Sequence, residues 1–439
     1  MERYKGQALI VALAFTAALG GVLLLVFNVG QLANGKHRLL ATADAAAYSA
    51  AVWQARSLNY QSYINRAIVA NEAAIAQSVS LRSWSGYMSV TLDNINTVGQ
   101  FIPYVGQVTR TLSRIWDRVD AAAQPILVAA EQGLSELDRA YALAAEAMHA
   151  AALAGTVPLV RDVLARNAPD NALTRGGAVL LAENLRAYRS LTQKYDGARR
   201  SRQADLVIRS RDGFTTNRSW EPRIEGATLP LALRKRGGTD LLGLDEWRGM
   251  DTLALHRRQG LFVGGWRESA PIGWGGAQNG SRSWRRGEHG GSWRINPSTS
   301  RRAQRATENN SGYRGIPALR DVAVVSGARE PQVRVAVEVA RARSTLRLAD
   351  SVLPGAHLVV GVRTEPVAYD SELSAGSVRA LAEARVFFER AEPRADGRRE
   401  VGSLFNPYWR ARLVSVRRET RGQAAAANGI VDPFVVASR

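Results

Sequence analysis

Apolar and polar positions change texture twice along this chain. From Gln7 to Phe27 no side chain is charged, and about 20 such residues at about 1.5 Å rise each cross about 30 Å of hydrocarbon. The pattern predicts a single membrane span. A cleaved secretory signal has a shorter apolar region and a small-residue cleavage site, whereas this run ends in Leu24, Leu25, Val26 and Phe27. A buried soluble helix keeps a polar side, and this run is apolar all round. Other apolar runs stop short: Ala142 to Val157 is interrupted by Glu146 and His149, and His357 to Val362 is too short.

Helical spacing dominates up to about residue 196. Leu32 to Trp84 contains no proline and is rich in alanine, leucine and glutamine, which predicts a long helix leaving the membrane and stopping at Gly86. Ala43, Ala46, Ala47, Ala50 and Ala51 put small side chains on adjacent turns, so another backbone can approach closely; Ala43, Ala47 and Ala50 are the candidate packing positions. Ile64, Ala67, Ile68, Asn71, Ile75 and Val79 form one stripe, with Asn71 its polar member. Asn94 to Gly106 reads as a linker. Beyond it Leu112, Trp116, Val119, Ala123, Ile126, Ala130, Leu134, Leu137, Tyr141, Ala145 and Met148 recur at three or four residues, one helical face that Pro125 should kink or divide. Ala178 to Leu191 is a third helical pattern, and together these predict an antiparallel bundle.

After about Asp196 the runs shorten. Asp205 to Ser210, Leu231 to Arg236, Gln332 to Ala340 and His357 to Thr364 read as strands between Gly, Pro and Asp turns. A helix is expected near Ala375 to Arg390, and the segment "PYWRARLVSV" adds a final helix or strand. The predicted fold class is therefore α+β: a short tail at 1–6, one transmembrane helix at 7–29, its helical extension at 30–92, a helical bundle at 93–196 and a β-rich α+β head at 197–439. Within the head, 264–305 interleaves glycines, arginines and tryptophans and reads as an extended loop.

Charge sharpens this picture. The 58 Lys and Arg exceed the 39 Asp and Glu, for a net charge of +19, which favours anionic neighbours such as lipid head groups or acidic surface polymers. No cysteine is present, so disulfides, thiolate metal sites and a cysteine nucleophile are excluded. The basic residues flanking the span tie, Arg3 and Lys5 against Lys36 and Arg38, so charge alone does not orient it.

The best candidate binding surface is the 264–305 loop. Trp266, Trp274, Trp284 and Trp293 offer flat faces, and Arg285 and Arg286 supply charge; the bland alternative has the tryptophans tucked onto the head and the arginines solvated or paired with Glu268 and Glu288. Asp240, Asp245, Glu246, Asp251 and His256 lie close in sequence but lack the alternate spacing of a calcium loop, so a solvated or ion-paired surface is expected there. The five histidines, His37, His149, His256, His289 and His357, show no metal-ligand spacing. No phosphate loop, nucleophile elbow or zinc-protease helix occurs. No cofactor, metal or catalytic residue is expected.

Several blocks resemble a known family. "RYKGQALI" at Arg3 to Ile10, the apolar span, "NVGQL" at Asn28 to Leu32 and "RLLATADAAAYSAA" at Arg38 to Ala51 resemble the N-terminal region of TadE/TadG-like proteins of the tight-adherence (Flp) pilus-assembly system. "NYQSYINRAIVANEAAIAQSVSLRSW" at Asn59 to Trp84 and "SLFNPYWRARL" at Ser403 to Leu413 are similar to its TadG-like branch. The resemblance implies an inner-membrane protein with a cytoplasmic N-terminus and a periplasmic bulk, acting by contact with other pilus-assembly proteins in pilus biogenesis or adhesion. The membrane, anionic lipid or surface polymer, and a second copy of the chain are its further expected partners; nucleic acid is not expected. Gly6 and Gln7 form the candidate processing site. Pilin-like members carry a glutamate five residues beyond that glycine, where this chain has Val11; a carboxylate in hydrocarbon must pair, typically with a neighbouring subunit's amine, and valine cannot. A permanently anchored component is therefore expected rather than a polymerising subunit. The alternative is a membrane-tethered module that binds anionic surface polymer or DNA through the Trp/Arg loop.

Overall fold

The computed structural model describes residues 5–99, 105–224, 230–259, 265–280, 289–309, 312–323, 330–342, 345–347, 377–398 and 400–429. In chain order its helices are α1 (Lys5–Gly99), α2 (Val105–Asn167), α3 (Arg175–Leu191), α4 (Arg200–Arg209), α5 (Gly213–Thr216), α6 (Ser292–Ile295), α7 (Pro297–Ala306) and α8 (Arg418–Ala427). Its strands are β1 (Asn171–Leu173), β2 (Thr192–Lys194), β3 (Arg223–Ile224), β4 (Leu231–Leu242), β5 (Glu246–Arg258), β6 (Trp266–Gln278), β7 (Glu308–Asn309), β8 (Arg320–Val322), β9 (Gln332–Ala342), β10 (Ser377–Phe388) and β11 (Trp409–Val414). The class is α+β. Two compact units share these elements. One takes Met1–Ser62, Ala147–Gln193 and Val322–Arg439, the other Tyr63–Glu146 and Lys194–Asp321, so α1 and α2 each contribute to both.

The first unit is built on an antiparallel sheet of order β1-β9-β10-β11. Val333, Val335, Val337 and Val339 alternate along β9, and Val378, Ala380, Ala382, Ala384, Val386 and Phe388 along β10, the period of a strand with one buried face. These side chains share a core with Ala43, Ala46, Ala47, Ala50, Ala51 and Leu58 of α1 and Ala152, Val160 and Leu164 of α2. Small residues on both surfaces let the helix lie close to the sheet. A separate cluster joins Ala336 of β9 to Leu180 of α3 and Ala424 of α8. Thr174 caps α3, accepting the Gly177 amide at 2.9 Å. Glu383 accepts from Arg417 N and Nε at 3.0 Å and from Arg334 Nη1 at 3.0 Å, which fixes the start of α8.

The second unit carries a sheet of order β3-β4-β5-β6-β7, antiparallel except for the last pair. Its main core joins Ile75, Ala76 and Val79 of α1 to Ala204 and Val207 of α4, Leu241, Trp247, Ala277, Tyr313 and Ile316. The strand β6 meets α1 through Gly275, where a Cβ would sit 2.2 Å from the Ser83 carbonyl oxygen and 2.4 Å from the Tyr87 nitrogen. Only a glycine permits that approach.

Several expectations are corrected. Helix α1 does not stop at Gly86 but runs to Gly99; Gly86 packs where β6 passes, its added Cβ falling 4.0 Å from Gly275 Cα. Pro125 does not divide α2. The segment 205–210 is the end of α4 and a turn, not a strand, since Gln203, Ala204 and Val207 bury one helical side. The segment read as a helix near 375–390 is β10, its alternate residues buried. The 264–305 region is not a loop throughout: it holds β6, α6 and most of α7, and Gly273, Gly275 and Gly276 serve close packing along β6 rather than turns. The strand expected at His357 to Thr364 lies outside the described residues.

Candidate functional site

The start of α1 has the length and composition to cross a membrane. Leu9, Ile10, Val11, Leu13 and Phe15 are each at least 67% exposed, and the apolar window has a mean hydropathy of 2.7 with no part of it buried. Such a surface is stable only where lipid or protein covers it. Gly6 and Gln7 stand in the first turns of this helix, and Val11 is on its exposed surface. A second window in α2 also has the length and composition to cross a membrane, with a mean hydropathy of 1.4 and 28% of it buried; Ala152 and Val160 there are fully buried in the first unit, and His149 stacks on Tyr188 at 5.4 Å.

Farther along α1 the small and polar positions turn inward. Ala43, Ala47 and Ala50 are fully buried against the first sheet. Asn59 donates through Nδ2 to the Trp409 carbonyl at 2.9 Å and accepts the Trp409 amide at 2.9 Å. In the second unit Asn71 donates to Asp138 Oδ1 at 2.7 Å. Next to it Glu72 accepts from Trp247 Nε1 at 2.9 Å and the Tyr313 hydroxyl at 2.8 Å. Burial pushes the Glu72 carboxyl up to about 7, against those two hydrogen bonds. Burial, with the nearby charge of Glu72, pushes Asp138 up to about 8 in spite of Asn71.

The densest charge cluster of the second unit centres on Asp251. Arg218 grips it with two nitrogens at 2.9 Å, Lys235 Nζ lies at 2.5 Å and Ser83 donates at 2.7 Å. Lys235 also sits 4.5 Å from the Tyr87 ring centre, and Arg218 lies 5.0 Å from that of Phe214. All three charged groups are buried. Burial by itself raises the Asp251 carboxyl, but Lys235 and Arg218 reverse this and hold it at about 2; burial lowers the Lys235 ammonium. Each charge is saturated by its neighbours, so the cluster ties α1 to the sheet and offers no open coordination or proton-transfer position. Of the solvated or ion-paired surface expected there, Asp251 and Glu246 are ion-paired but not at a surface: Asp251, Glu246 and His256 are all buried, because β5 is covered on both faces.

Two tryptophans of the 264–305 region, Trp266 and Trp274, are met by arginines of their own unit. Arg234 and Arg223 lie 5.3 and 5.9 Å from the Trp266 ring centre, and Arg302 lies 5.0 Å from that of Trp274. Trp293 is half-buried in α6. Glu268 accepts the Ser298 and Thr299 amides at 2.7 and 2.8 Å at the start of α7. Trp284, Arg285 and Arg286 lie outside the described residues. Among the described residues no three His, Asp or Glu side chains gather into a metal site. Sequence reading missed Asn59, Glu72, Arg218, Lys235 and Trp409. Glu72 was signalled only as a polar residue in an otherwise apolar helical run, and the others stand in polar or mixed segments.

No curated protein and no solved structure matches the chain. Residues 6–55 match the model of a family described as putative Flp pilus-assembly TadE/G-like. The matched segment takes in the exposed apolar stretch of α1 and its buried alanines. Over that segment the chain is similar to the TadE/G-like family of Flp pilus assembly.

Proposed function

We propose that the chain is a permanently anchored, single-pass membrane component of a Flp-type pilus-assembly machine, of the TadG-like branch, working by protein contact with its folded bulk in the periplasm. One observation carries the reading: α1 runs unbroken from Lys5 to Gly99, exposed and apolar at its start and buried in folded core from Leu39 onward. Val11 supports anchoring without subunit assembly, since it cannot pair with a neighbour's terminal amine. Work is done by surfaces on this reading, since the densest buried charge cluster, Asp251 with Arg218 and Lys235, is taken up by contacts within the fold.

Mass spectrometry of the protein's N-terminus, from alkaline-washed membranes and from sheared filaments, tests this. An N-terminus at Met1 or Glu2, found in membranes alone, is the expected result. A chain beginning at Gln7 in filaments would overturn it.

A further inference from the structure

We propose that the cleft between the end of α2, β1 and the start of α3 seats the phosphate head group of an anionic phospholipid. The inference rests on the anchored reading above. The cleft holds about 570 Å³ and is lined from α2 by Arg161 and Leu164, from β1 by Leu173 and from α3 by Arg175 and Ala178. That volume falls within the range of about 300–1,000 Å³ usual for small-molecule sites. None of the described residues that line it is acidic. Arg161 and Arg175 are both exposed, and among the described residues neither has a carboxylate within ion-pair distance. The acids nearest to hand are engaged elsewhere: Asp162 pairs with Arg166 at 2.9 Å and Asp170 with Arg341 at 3.4 Å. A guanidinium can give two parallel N–H groups to a phosphate, and the cleft presents two guanidinium groups from separate helices. Its apolar lining suits the glycerol and first acyl carbons of a lipid, which a free anion would leave uncovered.

Height above the bilayer decides the source of the phosphate. Between Lys5 and Lys36 of α1 no side chain is charged. That length of helix rises about 45 Å, the thickness of a bilayer with its head groups at about 40–45 Å. Lys36 therefore stands in the outer head-group layer. Its Nζ donates to the carbonyl of Arg379 on β10. Arg379 is the register partner of Ala340 on β9, and Ala340 that of Ala172 on β1. Ala172 is itself part of the cleft lining. One row across the sheet thus carries the cleft to the level of Lys36, where lipid phosphates are the most concentrated anions.

The test uses the full chain in nonionic detergent, titrated by calorimetry with dioctanoyl phosphatidylglycerol, dioctanoyl phosphatidylcholine or inorganic phosphate. Phosphatidylglycerol should bind saturably, at least about tenfold tighter than either of the others, and more weakly as salt rises. Arg161→Gln with Arg175→Gln should weaken it by about tenfold or more. Arg186→Gln with Arg189→Gln removes the same charge from exposed positions of α3 outside the lining, and should change affinity by less than about twofold. Unfolding midpoints of both variants should match the parent chain. Equal binding of the two lipids, or equal losses in the two variants, overturns the proposal. So does inorganic phosphate binding as tightly as phosphatidylglycerol, which points to a free anion, or tighter binding of a Glu-rich peptide at the same arginines, which points to a protein. Retention in alkaline-washed membranes is read alongside. A chain that stays in them without lipid preference overturns this site alone, whereas a chain that leaves them overturns the anchored reading.

Discussion

Asn59 and Trp409, 350 residues apart in sequence, exchange both hydrogen bonds of a strand pair: the Asn59 amide donates to the Trp409 carbonyl and accepts from the Trp409 N–H, each at 2.9 Å. A side chain of α1 thereby stands in for a neighbouring strand at the start of β11. The two sequence blocks that resemble the TadG-like branch, around Asn59 and around Trp409, are joined by this contact. Asn59→Ala leaves a buried donor and acceptor of the backbone unpaired, a loss of about 2 kcal/mol or more. Urea unfolding should show that loss, and amide exchange at Trp409 to Leu413 should quicken more than exchange in β9. Unchanged protection of β11 would mean that the pair is incidental.

Asp251 is where one substitution should cost most. Asp251→Asn leaves Arg218 and Lys235 buried with no counter-charge, and breaking such a group typically costs about 3–5 kcal/mol. Replacing all three together with apolar residues of similar volume should cost far less than the single change. Thermal unfolding of the single and triple variants distinguishes a destabilising orphan charge from a generally intolerant site.

Legibility in the sequence followed physical locality. The exposed span and the valine alternation of β9 were visible because each depends on its own residues and the medium they face. Strand β10 was misread because its Ala380, Ala382 and Ala384 have high helix propensity; they are small because they face the alanines of α1 across the core, a fact about a partner over 300 residues away. The 264–305 region was misread for a related reason. Gly273, Gly275 and Gly276 look like breakers, yet each abuts another segment closely. Asp251 was grouped with the charged residues near it in sequence, Asp240, Asp245 and Glu246, while its ionic partners, Arg218 and Lys235, come from the segments before and within β4.

Gly275→Ala tests the close-packing reading directly. The added methyl would lie 2.2 Å from the Ser83 carbonyl oxygen and 2.4 Å from the Tyr87 nitrogen, both backbone atoms of α1, so neither can swing aside. The variant should lose about 2–3 kcal/mol through overpacking. Gly265→Ala, with nothing within 4 Å of its added Cβ, should lose almost none, and the two midpoints compared in one urea series check this. Equal losses would mean that the glycines act through chain flexibility alone.

Glu72 and Asp138 set a pH dependence of definite sign. Both carboxyls are raised in the folded chain, to about 7 and about 8 from ordinary values of 4.5 and 3.8. The native state therefore holds more protons than the unfolded one between those limits, and stability falls as pH rises through this window. Asp251, held at about 2, acts oppositely: its contribution is present above the ordinary carboxylate value of 3.8 and is lost as pH falls toward 2. Unfolding midpoints measured across pH should peak in the mildly acidic range and decline toward pH 8. Glu72→Gln with Asp138→Asn keeps partners for Trp247, Tyr313 and Asn71 while removing the titration, so it should flatten the alkaline limb and leave the acid limb in place. If the alkaline limb survives that double change, the buried carboxyl pair is not its source.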